Sequence, residues 1–207
     1  MIYLVITASL TNRFGANTQR TEEYVSAIRE TLLCVPSSIS VIIVENNGKR
    51  PTELDQFMHD GTPISVHYTD HNQREESKGV TEMRDLHSVI RAYRIQDTDR
   101  IIKLTGRYAL TSSFFLKDVV EHESEYEVWM KFYNVSLLRA DPMDCILGCY
   151  AMQVSILLCF SPLMMDRYAS YEVAMARYVR SCGVRVKEMD SLGVRCHFAD
   201  RRSILDV

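Results

Sequence analysis

Apolar positions along the chain fall into two alternating kinds of run. Residues 2–8 (IYLVITA) are apolar over the length of a strand, and from Thr21 onward Tyr24, Val25, Ile28 and Leu32 recur at helical spacing. The same order repeats. SISVIIVENN reads as a second buried strand, followed by a short helical piece over 52–58 and a third strand, ISVHYT. Val80, Met83, Leu86, Ile90 and Tyr93 then trace one face of a longer helix, and IIKLT (101–105) is a fourth strand. A helix over 112–121 and a fifth strand, YEVWMKFY, follow. Strands alternating with helices predict an α/β fold with a central, mostly parallel sheet covered by helices on both faces.

The second half is less regular. Residues 145–165 hold 21 positions without a charge, long enough to cross a bilayer. Gln153, Ser155 and Pro162 interrupt that surface, and its β-branched and aromatic content predicts a buried strand running into a helix start. Residues 163–181 read as a helix with Met164, Tyr168, Tyr171, Met175 and Val179 as its core stripe. Two short strand signals around a turn close the chain. The expected organisation is a single domain over 1–207, regular over about 1–110 and less so over about 111–207.

Composition narrows the function. With 24 Lys+Arg against 27 Asp+Glu the net charge is −3, so bulk attraction to nucleic acid or anionic membranes is not expected. The six cysteines form no CxxC pair and read as reduced core residues. No basic and apolar leader precedes the first strand, which places the chain in a reducing cytoplasm, the host's if the source is a virus. Asn134-Val-Ser136 is then not expected to be glycosylated.

Ligands of open α/β sheets sit beyond the carboxyl ends of the strands. Strand one ends in Thr7-Ala8-Ser9 and leads to Asn12 and Arg13; strand two ends in Glu45-Asn46-Asn47-Gly48; strand four ends in Thr105-Gly106-Arg107-Tyr108. Together they offer hydroxyls, an acid able to grip a ribose or base edge, and a guanidinium suited to phosphate oxygens. Each motif by itself also fits an ordinary turn. Lys78-Gly79 opens the long helix, where a glycine and positive potential suit a phosphate, with Glu82, Arg84 and Asp85 following. The literal DxD, Asp97-Thr98-Asp99, precedes IIKLT and so belongs to the wrong edge of the sheet.

The order of a strand ending in an acid, a KG-x-x-E-x-R-D helix and an apolar strand closed by a short polar motif resembles the nucleotide-sugar half of GT-A-type glycosyltransferases. The most similar group is the amino-terminal domain of chlorovirus enzymes that build capsid glycans. The resemblance implies a three-layer fold with a nucleotide-binding half over about 1–110 and an acceptor half over about 111–207, a nucleoside-diphosphate sugar donor, commonly UDP-linked, a glycan or glycoprotein acceptor, and manganese or magnesium. It places Gly79 to Asp85 and Thr105-Gly106-Arg107 at two family motifs, Glu172 at the acid that opens a helix, and His197 at a carboxy-terminal histidine touching metal or diphosphate. The departure is the missing DxD at strand four.

The expected reaction is transfer of a sugar from that donor to a hydroxyl. Lys78, Lys103 and Arg107 would meet the diphosphate, Glu172 would be the base of an inverting reaction, and Asp144 a further catalytic or acceptor-site carboxylate. His197 and Asp141 are the candidate metal ligands. Two rivals stay open, a nucleotidyltransferase and a nucleotide-binding or scaffold domain with a degenerate site.

Overall fold

The computed structural model describes residues 1–12, 15–16, 18–73, 77–132, 142–161, 170–197 and 204–207. Its central sheet has seven strands: β1 (Ile2–Ala8), β2 (Ser40–Glu45), β3 (Ser65–Tyr68), β4 (Arg100–Thr105), β6 (Val128–Met130), β7 (Cys149–Gln153) and β8 (Val186–Glu188). The strand order is β8-β6-β7-β4-β1-β2-β3. Only β7 runs against the others, pairing antiparallel with both β4 and β6. β5 (Tyr108–Leu110), β9 (Val194–His197) and β10 (Ile204–Asp206) form a second, small antiparallel sheet.

β1 explains why its sequence is apolar without alternation. Leu4 and Ile6 face one core with Tyr24 and Ile28 of α1 (Thr18–Leu32) and Phe115, Leu116 and Val119 of α3 (Phe114–Glu121). Val5 faces the other, with Met83, Leu86, Val89 and Ile90 of α2 (Lys78–Ala92), Leu157 of α4 (Val154–Cys159) and Met175 and Val179 of α5 (Tyr171–Ser181). Successive side chains of a strand point to opposite faces, so a strand covered twice must be apolar at every position. The result is three layers, helix over sheet over helix.

The 145–165 run divides as expected, into β7 and then α4. Among the described residues no helix is long and apolar enough to cross a membrane. Two expectations need correction, for the fifth strand and for the cysteines. The fifth strand covers Val128–Met130 of YEVWMKFY: the Tyr126 amide still bonds the His122 carbonyl of the preceding turn, Phe132 makes a single bridge to Cys145, and Tyr133 lies outside the described residues. The helix expected over 163–181 is described only from Tyr171, where the Ser170 hydroxyl caps the Val173 amide; Met164 and Tyr168 lie outside the described residues. Of the cysteines, Cys145, Cys149 and Cys196 are buried, whereas Cys159 and Cys182 are exposed because they stand at the ends of α4 and α5, past the buried stripe.

Candidate functional site

The chain passes through β1, β2 and β3 on one side of the sheet and then crosses to β4 on the other side of β1. That reversal leaves a crevice over the carboxyl ends of β1 and β4, the place where such sheets hold ligands. Thr7 pairs with Thr105 across it, and the Gly106 amide bonds the Thr7 carbonyl at 2.8 Å. A Cβ on Gly106 would stand 3.0 Å from both that oxygen and the Tyr24 ring, so the turn into Arg107 passes closely over α1.

Two guanidiniums share the Tyr24 ring. Arg20 lies 5.2 Å from its centroid and Arg107 6.0 Å. Arg20 is anchored through Nε to the Ser9 carbonyl at 2.6 Å and through Nη2 to the Tyr24 hydroxyl at 3.2 Å. The Arg107 Nε is buried without a hydrogen-bond partner. Lys78, at the exposed start of α2, is close enough to feel both: its ammonium is held below the usual lysine range, first by partial burial and then by Arg107 and Arg20, with Glu82 opposing. Burial also raises the Tyr24 phenol, against the pull of Arg20 and Arg107.

Behind this cluster a buried ion pair joins α2 to β4. Lys103 is 2% exposed, and its ammonium donates to Glu82 at 2.5 Å, Thr105 Oγ1 at 2.7 Å and the Leu147 carbonyl at 2.9 Å. All three donors of the ammonium are therefore used, and Lys103, expected at the diphosphate, is committed to joining α2 to β4. A small cleft lies alongside, lined by Glu82, Lys103, Leu147, Tyr150 and Tyr171. The Tyr171 hydroxyl is buried there without a partner, and burial, then Glu82, raises its pKa.

β2 ends in a polar frame. Glu45 is fully buried; it accepts from the Leu10 amide at 3.1 Å and Asn47 Nδ2 at 2.5 Å, and pairs with Arg50 at 3.0 Å. The carboxylate expected to grip a ribose is thus spent on shaping the loops. Asn46 donates to Asp85 at 3.0 Å, which also accepts from Thr69 at 2.6 Å and meets His71 Nδ1 at 2.7 Å. Ala8 is buried, Ser9 bonds the Thr11 carbonyl at 3.0 Å, and Asn47 reaches the Ser9 hydroxyl at 3.4 Å.

The other predicted residues distribute around this crevice. The space beside Gly79 is filled by the Tyr171 ring, whose Cγ would be 2.5 Å from an added Cβ, so the glycine admits α5 against the start of α2. Arg84 is half-buried on α2. The same contact brings the start of α5, with Glu172, against the start of α2, with Lys78. Glu172 and Asp144 both act on the Cys145 thiol, which burial raises first and the two carboxylates raise further. Asp144 is 2% exposed and accepts from the Cys145 amide at 2.9 Å. β9 pairs Cys196 with Tyr108 and ends at His197, so the histidine lies at the end of the small sheet where β5 begins. Arg13 and Asp141 lie outside the described residues. Asp99 stands at the amino end of β4, where it accepts from the Gln96 amide at 2.9 Å, as expected of the rejected DxD.

A divalent cation does not fit the described side chains at the end of β4. Thr105, Gly106 and Arg107 occupy that end, with Lys78 and Arg20 adjacent. Cationic groups there raise the electrostatic cost of a metal ion, and among the described residues no three His, Cys, Asp or Glu side chains gather to offset it.

Arg20 was not among the residues expected to form the site, and Glu82 stood in the helix-opening motif without a role of its own. The signal for Arg20 was its i,i+4 spacing to Tyr24, and for Glu82 a lysine inside an otherwise apolar strand, which demands a buried partner.

No protein-family model matches the chain, and no curated protein matches its sequence. Solved structures do share its fold. The mannosyltransferase PcManGT from Pyrobaculum calidifontis, in complex with GDP-Man and Mn2+, superposes with a TM-score of 0.59 at 12% identity, over 92% of this chain and 55% of that one. An active-site mutant of LgtC gives 0.56 at 9% identity, over 89% and 72%. CMP:2-keto-3-deoxy-manno-octonic acid synthetase complexed with CTP gives 0.53 at 14% identity, over 91% and 89%. The fold is that of the GT-A-like glycosyl- and nucleotidyltransferases.

Proposed function

We propose that this chain transfers a sugar from a nucleoside-diphosphate sugar, UDP-linked, to a hydroxyl of a glycan or glycoprotein. The observation that carries the reading is the pair of guanidiniums, Arg20 and Arg107, over Tyr24 at the carboxyl ends of β1 and β4, with the Lys78 ammonium close enough to feel both. Departure of a nucleoside diphosphate develops negative charge on the bridging oxygen, and fixed cations aimed at it lower the barrier. The buried Lys103–Glu82 pair positions two of them, since it ties α2, which carries Lys78, to β4, which leads to Arg107.

If the transfer inverts the anomeric carbon, a carboxylate must take the acceptor proton, and Glu172 is the candidate, with Asp144 on the same thiol. Retention of configuration requires no such base. The structural relatives named above include both glycosyl- and nucleotidyltransferases, so the test separates them. UDP, GDP and CDP are titrated calorimetrically, and UDP-sugars are then assayed for release of UDP. Release supports the proposal; pyrophosphate release from a nucleoside triphosphate favours a nucleotidyltransferase, and binding without turnover favours a nucleotide-binding domain.

Arg107→Ala is expected to weaken UDP binding by about 1.5–3 kcal/mol, the range for hydrogen bonds to charged groups. Unchanged affinity in the same titration returns Thr105-Gly106-Arg107 to the status of a turn. A pH dependence follows from Lys78. Its pKa is already lowered by burial, Arg107 and Arg20, so raising the pH discharges it earlier than a free lysine. Only the charged form attracts the diphosphate, so affinity is full on the acid side of that lowered pKa and falls as the pH climbs through it. Titrations from neutral to alkaline pH should show this fall in the native chain and a flatter profile in Lys78→Met.

A further inference from the structure

We propose that Arg20, Lys78 and Arg107 neutralise the diphosphate of the donor themselves, so that nucleotide binding at this crevice needs no divalent cation. The inference rests on the nucleotide-sugar reading above and adds to it the means of holding the charge. Two guanidiniums on one buried ring repel each other, and Lys78 adds a third positive charge. The two acids that act on the Tyr24 cluster, Glu82 and Glu45, are already paired, with Lys103 at 2.5 Å and with Arg50 at 3.0 Å. The cluster therefore carries an excess of positive charge that a compact dianion would balance.

The donors also have capacity to spare. Arg20 spends Nε and Nη2 on the Ser9 carbonyl and Tyr24 hydroxyl, which fixes the plane of the guanidinium while leaving Nη1 to donate. Arg107 keeps a buried Nε without a partner, a group that costs free energy until an acceptor meets it. Planar guanidiniums match the paired oxygens of a phosphate better than an ammonium does. With Thr105-Gly106-Arg107 where a carboxylate pair would hold a metal, positive side chains take the place of the ion.

The test uses the full chain. UDP, uridine and inorganic pyrophosphate are titrated with manganese and with excess chelator, in the native protein and in Arg20→Gln, Arg107→Gln and Lys78→Gln, each checked for a native melting transition. The expected result is UDP affinity that is the same within about threefold in metal and chelator, and about tenfold or more weaker in the folded variants, the lower end for a lost charge-assisted bond. UDP binding that appears only with manganese overturns the inference while leaving the nucleotide-sugar reading intact. Folded variants that bind UDP like the native chain overturn it as well. If pyrophosphate binds without metal and is lost in the variants while no nucleotide binds, the anion site stands and the donor reading fails; if neither binds, both fail.

Discussion

Asp85→Ala should lower the stability of this protein by about 3–5 kcal/mol, the range for removing one partner from a buried charged network. Asp85 is fully buried on α2, yet it ties two separate segments to that helix: Asn46 after β2, and Thr69 and His71 after β3. Burial raises its pKa, against the bonds from Thr69, Asn46 and His71 that favour the carboxylate. Truncation leaves a hydroxyl, an amide and a ring N–H without their acceptor in the interior, and each such loss costs about 1–3 kcal/mol, less whatever water recovers. At this chain length the melting midpoint should fall by on the order of 10 °C. Asp85→Asn keeps the volume and one acceptor and should lose about half as much. Equal melting of Asp85→Ala and the native chain would show that the network contributes nothing.

Glu82→Ala is expected to cost about 2–4 kcal/mol. Lys103 is 2% exposed and stays behind as a buried ammonium whose remaining partners, Thr105 Oγ1 and the Leu147 carbonyl, are neutral. A broken buried pair costs about 3–5 kcal/mol, and the 27% exposure of Glu82 lets water reduce that. Removing both charges with Glu82→Ala/Lys103→Met should recover much of the loss, because no unpaired charge remains. A double variant as unstable as the sum of the two single ones shows the pair to be uncoupled. The double variant is also informative for binding, since Lys78 and Arg107 lose the strut between α2 and β4.

The sheet was legible because β1 and β4 are covered on both faces and so are apolar over nearly their whole length, Lys103 being the exception in β4, and because α2 carries its core residues at strict helical spacing. The strand ends were legible for the same reason: the ends of the apolar runs mark the crevice. Side-chain assignments within it were harder. Glu45 and Lys103 stand at the right ends of the right strands, but each turned inward to a partner that only the folded chain supplies, Arg50 and Glu82. Arg20 was hidden because an arginine early in an amphipathic helix reads as a solvated residue. Asp85 falls four residues after buried Thr81 and four before buried Val89, so an acid on the core stripe was a sign of a buried network. The small sheet rests on the pairing of β5 with β9, segments more than 80 residues apart, which periodicity cannot reveal, and it is this pairing that brings the end of β9, with His197, to the start of β5.

The most direct test of a diphosphate site at the carboxyl ends of β1 and β4 is a crystal structure of the chain soaked with UDP. The diphosphate is expected within hydrogen-bond distance of the Arg107 and Arg20 guanidiniums, with the nucleoside toward the Asn46 and Asn47 end of β2. Nucleotide density at the opposite edge of the sheet, beside Asp97 and Asp99, would contradict the account.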